Sequence, residues 1–287
     1  MQFFLLTTEH LSETIIFKDE DDFRVAMNYV AVVQSVTHVV IVAFVLMSNH
    51  AHFILQCTLN EASDFMYRFK RMIGIHYGRK YGHSSPFRRN HLDIKELPGS
   101  TEALSRAIAY VQMNPVAARV CIHPTGYRWG TGDAFFRERP ARGRPIGAFS
   151  HREQTRLLHS NEMLPADWIY GDDGYILPES YVCVKFVEKV FSSPARMLYF
   201  LNSSSKAKAV REGDDCCPSF RDQVISAAIP DLCRTMFRQE SISGLLPAQK
   251  AEALRQIRRR FSADPAQIAR VTGVPYQEVI ALMEKYF

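Results

Sequence analysis

No apolar run in this chain of 287 residues is long enough to cross a bilayer. The longest, VVIVAFVLM at residues 39–47, is under half of the roughly 20 residues a spanning helix needs, so no membrane association is expected. The opening segment MQFFLLTTEH carries neither a basic leader nor a small-residue cleavage site. No secretion signal is expected, and the cytoplasm is the expected compartment. Paired cysteines are missing as well. Cys57, Cys121, Cys183, Cys216, Cys217 and Cys233 form no CxxC motif, and the adjacent Cys216 and Cys217 cannot easily bridge each other, so reduced thiols are expected. A strong overall charge is also absent: the net charge is +5, and only its distribution is informative.

That distribution is uneven. Residues 68–89 hold no acidic side chain but contain Arg68, Lys70, Arg71, Arg79, Lys80, Arg88 and Arg89, interleaved with Phe69, Tyr77, Tyr81 and Phe87. Cations that track phosphates and aromatic faces that stack bases are what a nucleic-acid groove needs, although a solvated helix face over core aromatics has the same composition. A hydrophobic content of 47% supports a sizeable core.

The order of elements points to an α+β fold. QFFLLTT suits a strand, and IIFKDEDDFRVAMNYVAVV has helical apolar spacing after an acidic start. VVIVAFVLM and HAHFILQ, separated by Ser48-Asn49, read as a hairpin. A basic helix ending near Gly82, a strand HLDIKEL and a helix through EALSRAIAYVQMNP follow, the last ended or kinked by Pro115. Strand, helix, strands, helix, strand, helix implies an antiparallel sheet with packed helices over residues 1–136. The Arg-, Pro- and Gly-rich stretch RERPARGRPIGAF then marks a basic linker and mixed accessory region, 137–215, with the polar NSSSKAKAVREGDD near its end. Residues 216–287 read as mainly helical. Asp264 is a candidate N-cap before Pro265, and Gly273 precedes Pro275 with the spacing of a helix-turn-helix. The cluster Arg255, Arg258, Arg259 and Arg260 could meet phosphates there, while the final helix YQEVIALMEKYF has two glutamates against one lysine, which weakens the case for groove reading.

Two patterns carry chemistry. Strand alternation places His50, His52 and Ile54 on one face, so both imidazoles can reach one ion; two histidines satisfied by protein partners are the alternative. Tyr110 and Asn114 lie four residues apart, on one helix face. A phenol with a pKa near 10 is a weak nucleophile at neutral pH, and a metal ion that polarises a phosphate would supply the help it needs. His76, His83 and His91 suit phosphate contact or solvation better than metal binding, and Trp129 and Trp168 suit packing.

LMSNHAHFIL resembles the signature of the HUH single-tyrosine transposases, in particular the REP-associated tyrosine transposase branch. AIAYVQMNPVAARV resembles that family's tyrosine helix. FKDEDDF and HPTGYRWGTGDAFF extend the likeness over residues 1–136, and the C-terminal helices resemble the extra DNA-binding unit of longer members. The resemblance implies a ferredoxin-like HUH endonuclease domain, with His50, His52 and Asn114 as ligands of Mg²⁺ or Mn²⁺ and Tyr110 as the nucleophile. It implies cleavage of single-stranded, hairpin-bearing or palindromic DNA through a 5′-phosphotyrosine link and a free 3′-OH, hence strand transfer and DNA transposition. Members include monomers and homodimers that share a site. Where the family usually has proline this chain has Ser48, and where it has a bulky apolar residue between the histidines this chain has Ala51; neither change removes a ligand or the nucleophile. Two other readings use the same residues: a domesticated DNA-binding regulator with little or no cleavage, and a phosphodiesterase that activates water, indifferent to loss of the Tyr110 hydroxyl.

Overall fold

The computed structural model describes residues 2–8, 14–83, 85, 87, 92–138, 142–207 and 220–285. Its centre is a four-stranded antiparallel sheet. The strands are β1 (Gln2–Thr8), β2 (Val40–Met47), β3 (His50–Cys57) and β4 (Leu92–Leu97), arranged β2-β3-β1-β4. Met47 pairs with His50, so the hairpin closes around the two-residue turn Ser48-Asn49 as the sequence suggests. On the other side of β3, Thr7 of β1 pairs with His52 and Leu6 with Phe53.

Both faces of the sheet are covered, which explains the near-continuous apolar reading of β2 and β3. On one face lie α1 (Glu20–Thr37) and α2 (Leu59–Tyr81). Asp19 caps α1 by accepting from the Asp22 amide at 2.9 Å, and three acidic residues in the first turn complement the helix dipole. Thr58 and Glu61 form a capping box at the start of α2, and Gly82 ends it at φ 72°, a left-handed conformation that glycine adopts without a Cβ clash. Phe53 meets Phe65 and Phe69 of α2 edge to face, with centroids 5.3 and 5.4 Å away. The opposite face is covered by α3 (Thr101–Gln112), which continues after a break at Met113 into the single turn α4 (Asn114–Ala117), with Pro115 in its first turn.

The edge of β2 is shielded by non-strand backbone. Leu46 donates to the Trp129 carbonyl at 2.9 Å, Thr131 donates to Phe44 at 3.0 Å, and Cys183 donates to Ile41 at 3.0 Å. Trp129 is buried and stacks on Phe23 with centroids 5.0 Å apart, a packing role.

The expected linker differs most from its sequence reading. From residue 142 the chain packs into the same core as the sheet, through Ile146, Leu158, Ile176, Val187, Phe191 and Leu201. The helices α5 (His151–Leu158), α6 (Val184–Phe191) and α7 (Pro194–Ser203) belong to this part. A buried asparagine on α1 secures it: the Asn28 amide donates to the carbonyls of Leu157 and Gly174, and its oxygen accepts from the Ile176 amide at 2.9 Å. Arginine and proline composition suggested a tether, but apolar side chains spaced beyond residue 145 are sufficient to fold back on the sheet.

Helices α8 (Asp222–Phe237), α9 (Pro247–Phe261), α10 (Pro265–Thr272) and α11 (Tyr276–Lys285) enclose a second core with Ile225, Leu254, Ile257, Ile268 and Val279. Asp264 caps α10, accepting from the Gln267 amide at 2.8 Å, and Gly273 turns the chain at φ 71°. No helix of the described residues is long and apolar enough to cross a membrane.

Two glycines test this packing in opposite directions. A Cβ on Gly130 would lie 2.6 Å from the Phe44 carbonyl oxygen, so backbone would have to move. Gly130→Ala should cost about 1–3 kcal/mol in chemical denaturation. Gly74, inside α2, has open space where a Cβ would go, and Gly74→Ala should gain about 0.5–1 kcal/mol. Equal effects of the two substitutions would contradict the strand-edge contact.

Candidate active site

Strand alternation delivers the two histidines. Phe53 turns toward α2, so His50 and His52 turn toward α3, and their rings stand 5.0 Å apart, nearly perpendicular. His52 is buried, and its ring lies 5.6 Å from that of Tyr110 on α3. The pairing of β1 with β3 brings Thr7 Oγ1 to 3.0 Å from His52 Nδ1, while Asn49 Oδ1 lies 2.8 Å from His50 Nδ1. Each imidazole thus has its Nδ1 engaged by the protein, which orients the ring and leaves Nε2 for another partner.

The break between α3 and α4 positions the third donor. The Asn114 amide nitrogen donates to the carbonyls of Tyr110 at 2.9 Å and Val111 at 3.2 Å, and the side chain lies close enough to both imidazoles to favour their charged forms. With its nitrogen held by the helix, its oxygen is directed at the histidine pair. Among the described residues no three side chains of His, Cys, Asp or Glu converge. The set that does converge is two imidazoles and one amide oxygen, all uncharged. These donors fit a divalent ion of the Mn²⁺ or Mg²⁺ kind, and imidazole nitrogen favours Mn²⁺ of the two.

The electrostatics suit a metal site. Burial, reinforced by the positive charges of Lys206 and Arg270, pushes the His50 imidazole down to about 4, and His52 is driven well below the usual range by burial, by His50 and by Lys206. Both are therefore neutral at pH 7, the form that ligates metals. The Tyr110 phenol is half-buried and shifted upward by burial, which makes it harder to ionise than an exposed tyrosine.

The two departures at the hairpin have a structural counterpart. Ser48 accepts at its carbonyl from Ile16 and Phe17, and its hydroxyl donates to the carboxylate of Asp222 at the start of α8. Asp222 is buried and also accepts from Arg270 Nε at 2.7 Å and Gln267 Nε2 at 2.9 Å. A proline at position 48 could not make the hydroxyl contact. The C-terminal helices are thus held beside His50, with which Ser48, Asn49, Asp222 and Arg270 line a cavity of about 180 Å³. Ala51 is fully buried, and its amide donates to Thr8 Oγ1 at 2.8 Å.

The basic residues divide into several groups. Lys70 and Arg71 line a groove of about 540 Å³ on the outer face of α2, together with exposed Tyr67 and Ile75. Arg68 pairs with Asp64 along the same helix at 2.7 Å. Arg79 is exposed near the helix end. Lys80 instead reaches back to α1 and contacts Asp19, Asp21 and Asp22 at 2.8–3.0 Å. Burial alone would raise the Asp22 carboxyl, but hydrogen bonds from His76, Tyr81, the Lys18 amide and Lys80 hold it at about 2. Lys80 and His76 therefore fasten α1 to α2. Arg88, Arg89 and His91 lie outside the described residues. At the end of α9, Arg258, Arg259 and Arg260 are exposed, whereas Arg255 pairs with Glu252 at 2.7 Å.

Thr7, Asn49 and Lys206 were not legible as site residues. The first two depend on strand register and turn geometry, and Lys206 lies in a stretch whose composition suggests only a polar connection. No protein-family model, curated protein or solved structure matches this chain.

The depressed histidine has a direct test. Its folded-state pKa lies below the unfolded value near 6.5, so its contribution to stability is complete above that pH and is lost as pH falls toward 4. In a proton NMR titration of the metal-free protein, the His50 ring signal should keep its neutral position from pH 8 to 5.5 and titrate near 4. A midpoint near 6.5 would contradict the enclosed site.

Proposed function

We propose that this chain is a metal-dependent single-stranded DNA endonuclease and strand transferase of the HUH single-tyrosine type. The observation that carries the reading is the convergence of His50, His52, Asn114 and Tyr110, drawn from β3, α3 and α4, at one place. The sheet supports it: the order β1-α1-β2-β3-α2-β4, with strands arranged β2-β3-β1-β4, matches the split βαβ pattern of ferredoxin-like folds.

The residues divide the work. His50, His52 and Asn114 would hold a divalent ion, which when bound polarises the scissile phosphate and neutralises charge as it develops. Thr7 and Asn49 keep the imidazoles in orientation. Tyr110 attacks phosphorus in line with the departing 3′ oxygen, leaving a 5′-phosphotyrosine and a free 3′-OH whose reversal allows strand transfer. The α2 groove with Tyr67, Lys70 and Arg71 suits an unpaired strand, since an exposed aromatic ring can stack a base while the cations follow phosphates. The short turn between α10 and α11 suits a helix-turn-helix, and the exposed arginines at the end of α9 suit phosphate contacts, which would add affinity by tethering.

The test incubates the protein with labelled, hairpin-bearing single-stranded DNA from the sequence flanking its gene, with Mn²⁺ or Mg²⁺, beside Tyr110→Phe. A denaturation-resistant protein–DNA band is expected only with the tyrosine and the metal. Cleavage retained by Tyr110→Phe would instead indicate attack by water, and tight binding without cleavage on several such substrates would indicate a DNA-binding regulator.

A further inference from the structure

The stretch 205–207 continues beyond α7, and α7 packs along α3. This packing carries Lys206 over the ring of Tyr110, with Nζ 5.0 Å from the centroid. Its charge is also felt at His50 and His52, so the ammonium stands over the same place where the imidazoles and the phenol converge. Lys206 is partly buried, and no carboxylate pairs with it among the described residues. Burial draws its pKa downward, and among the described residues no acidic side chain offsets the shift. A desolvated ammonium beside a nucleophile, with no counter-charge among the described residues, is a site that an anion would complete.

We propose that Lys206 is a catalytic residue: its ammonium contacts a non-bridging oxygen of the scissile DNA phosphate while Tyr110 attacks the phosphorus. The inference rests on the nuclease reading above. The bond from Tyr110 Oη to phosphorus forms as the bond from phosphorus to the 3′ oxygen breaks. The phenol proton passes to water and the 3′ oxygen takes one from water, so no further reactant is consumed. The negative charge that accumulates on the non-bridging oxygens in the transition state lies against the ammonium, which arrives already positioned by α7. The cation comes from the accessory segment rather than the sheet, so the region after residue 137 would supply part of the chemistry.

The test measures single-turnover formation of the covalent protein–DNA band at saturating DNA for the wild type, Lys206→Met and Lys206→Arg in the full chain, with melting midpoints and DNA affinities recorded alongside. Lys206→Met should form the band about a hundredfold more slowly while its DNA affinity stays within threefold. Lys206→Arg should return to within tenfold of the wild type. A Lys206→Met rate within threefold of the wild type would overturn the inference, as would a Lys206→Arg protein as slow as Lys206→Met. If Lys206→Met melts early, Lys206→Arg decides alone: a rate within tenfold of the wild type supports the role, and a larger loss overturns it. A wild type that forms no band with any such DNA defeats the nuclease reading itself and this inference with it, an outcome distinct from an active wild type and an unaffected variant.

Discussion

The register of β3 between β1 and β2 is the constraint on which the site depends. Because side chains alternate, a slip of one residue would turn both imidazoles toward α2 and bring Phe53 to the side of Tyr110. Two features resist that slip. The two-residue hairpin fixes Met47 opposite His50, and the aromatic cluster of Phe53, Phe44, Phe65 and Phe69 occupies the other face. The same register sets Thr7 opposite His52, so a single pairing both aims the imidazole and supplies the group that orients it. Core packing and chemistry are therefore coupled: the apolar residues between and after the histidines hold the polar ones in place.

Around that strand the protein gathers uncharged donors and a cation. Two neutral imidazoles and an amide oxygen would leave the charge of a divalent ion held there undiminished. Lys206, over the Tyr110 ring, adds positive potential at both histidines. The burial that lowers the histidines also raises the Tyr110 phenol. The arrangement thus makes the phenol harder to ionise while setting a positive charge beside its ring. The C-terminal helices border this region through Asp222, whose carboxylate joins the hairpin turn at Ser48 to Arg270 and Gln267.

Much of the framework was legible in the residues. Period-two and helical patterns place the hairpin, α1, α2, α3 and β4, and the HxH spacing with the Tyr110–Asn114 pair marks the residues that meet. What lay beyond reach depended on distant parts of the chain. The stretch from residue 142 reads as a tether because arginine, proline and glycine dominate its start, yet Asn28 and the apolar side chains after residue 145 bind it to the sheet. Lys80 looks like a free phosphate contact in a run without acids, but its partners are three aspartates about sixty residues earlier, brought near by helix packing. Lys206 has no local signature, since its place over the Tyr110 ring depends on where α7 lies.

The central claim is that His50, His52 and Asn114 hold one divalent ion beside Tyr110. Pulsed electron paramagnetic resonance of the protein with Mn²⁺ tests it most directly, because directly bound imidazole nitrogens couple to the manganese spin. The account predicts one bound ion with two such nitrogen couplings, reduced to one in His52→Ala. A spectrum without nitrogen coupling, or one unchanged by His52→Ala, would contradict it.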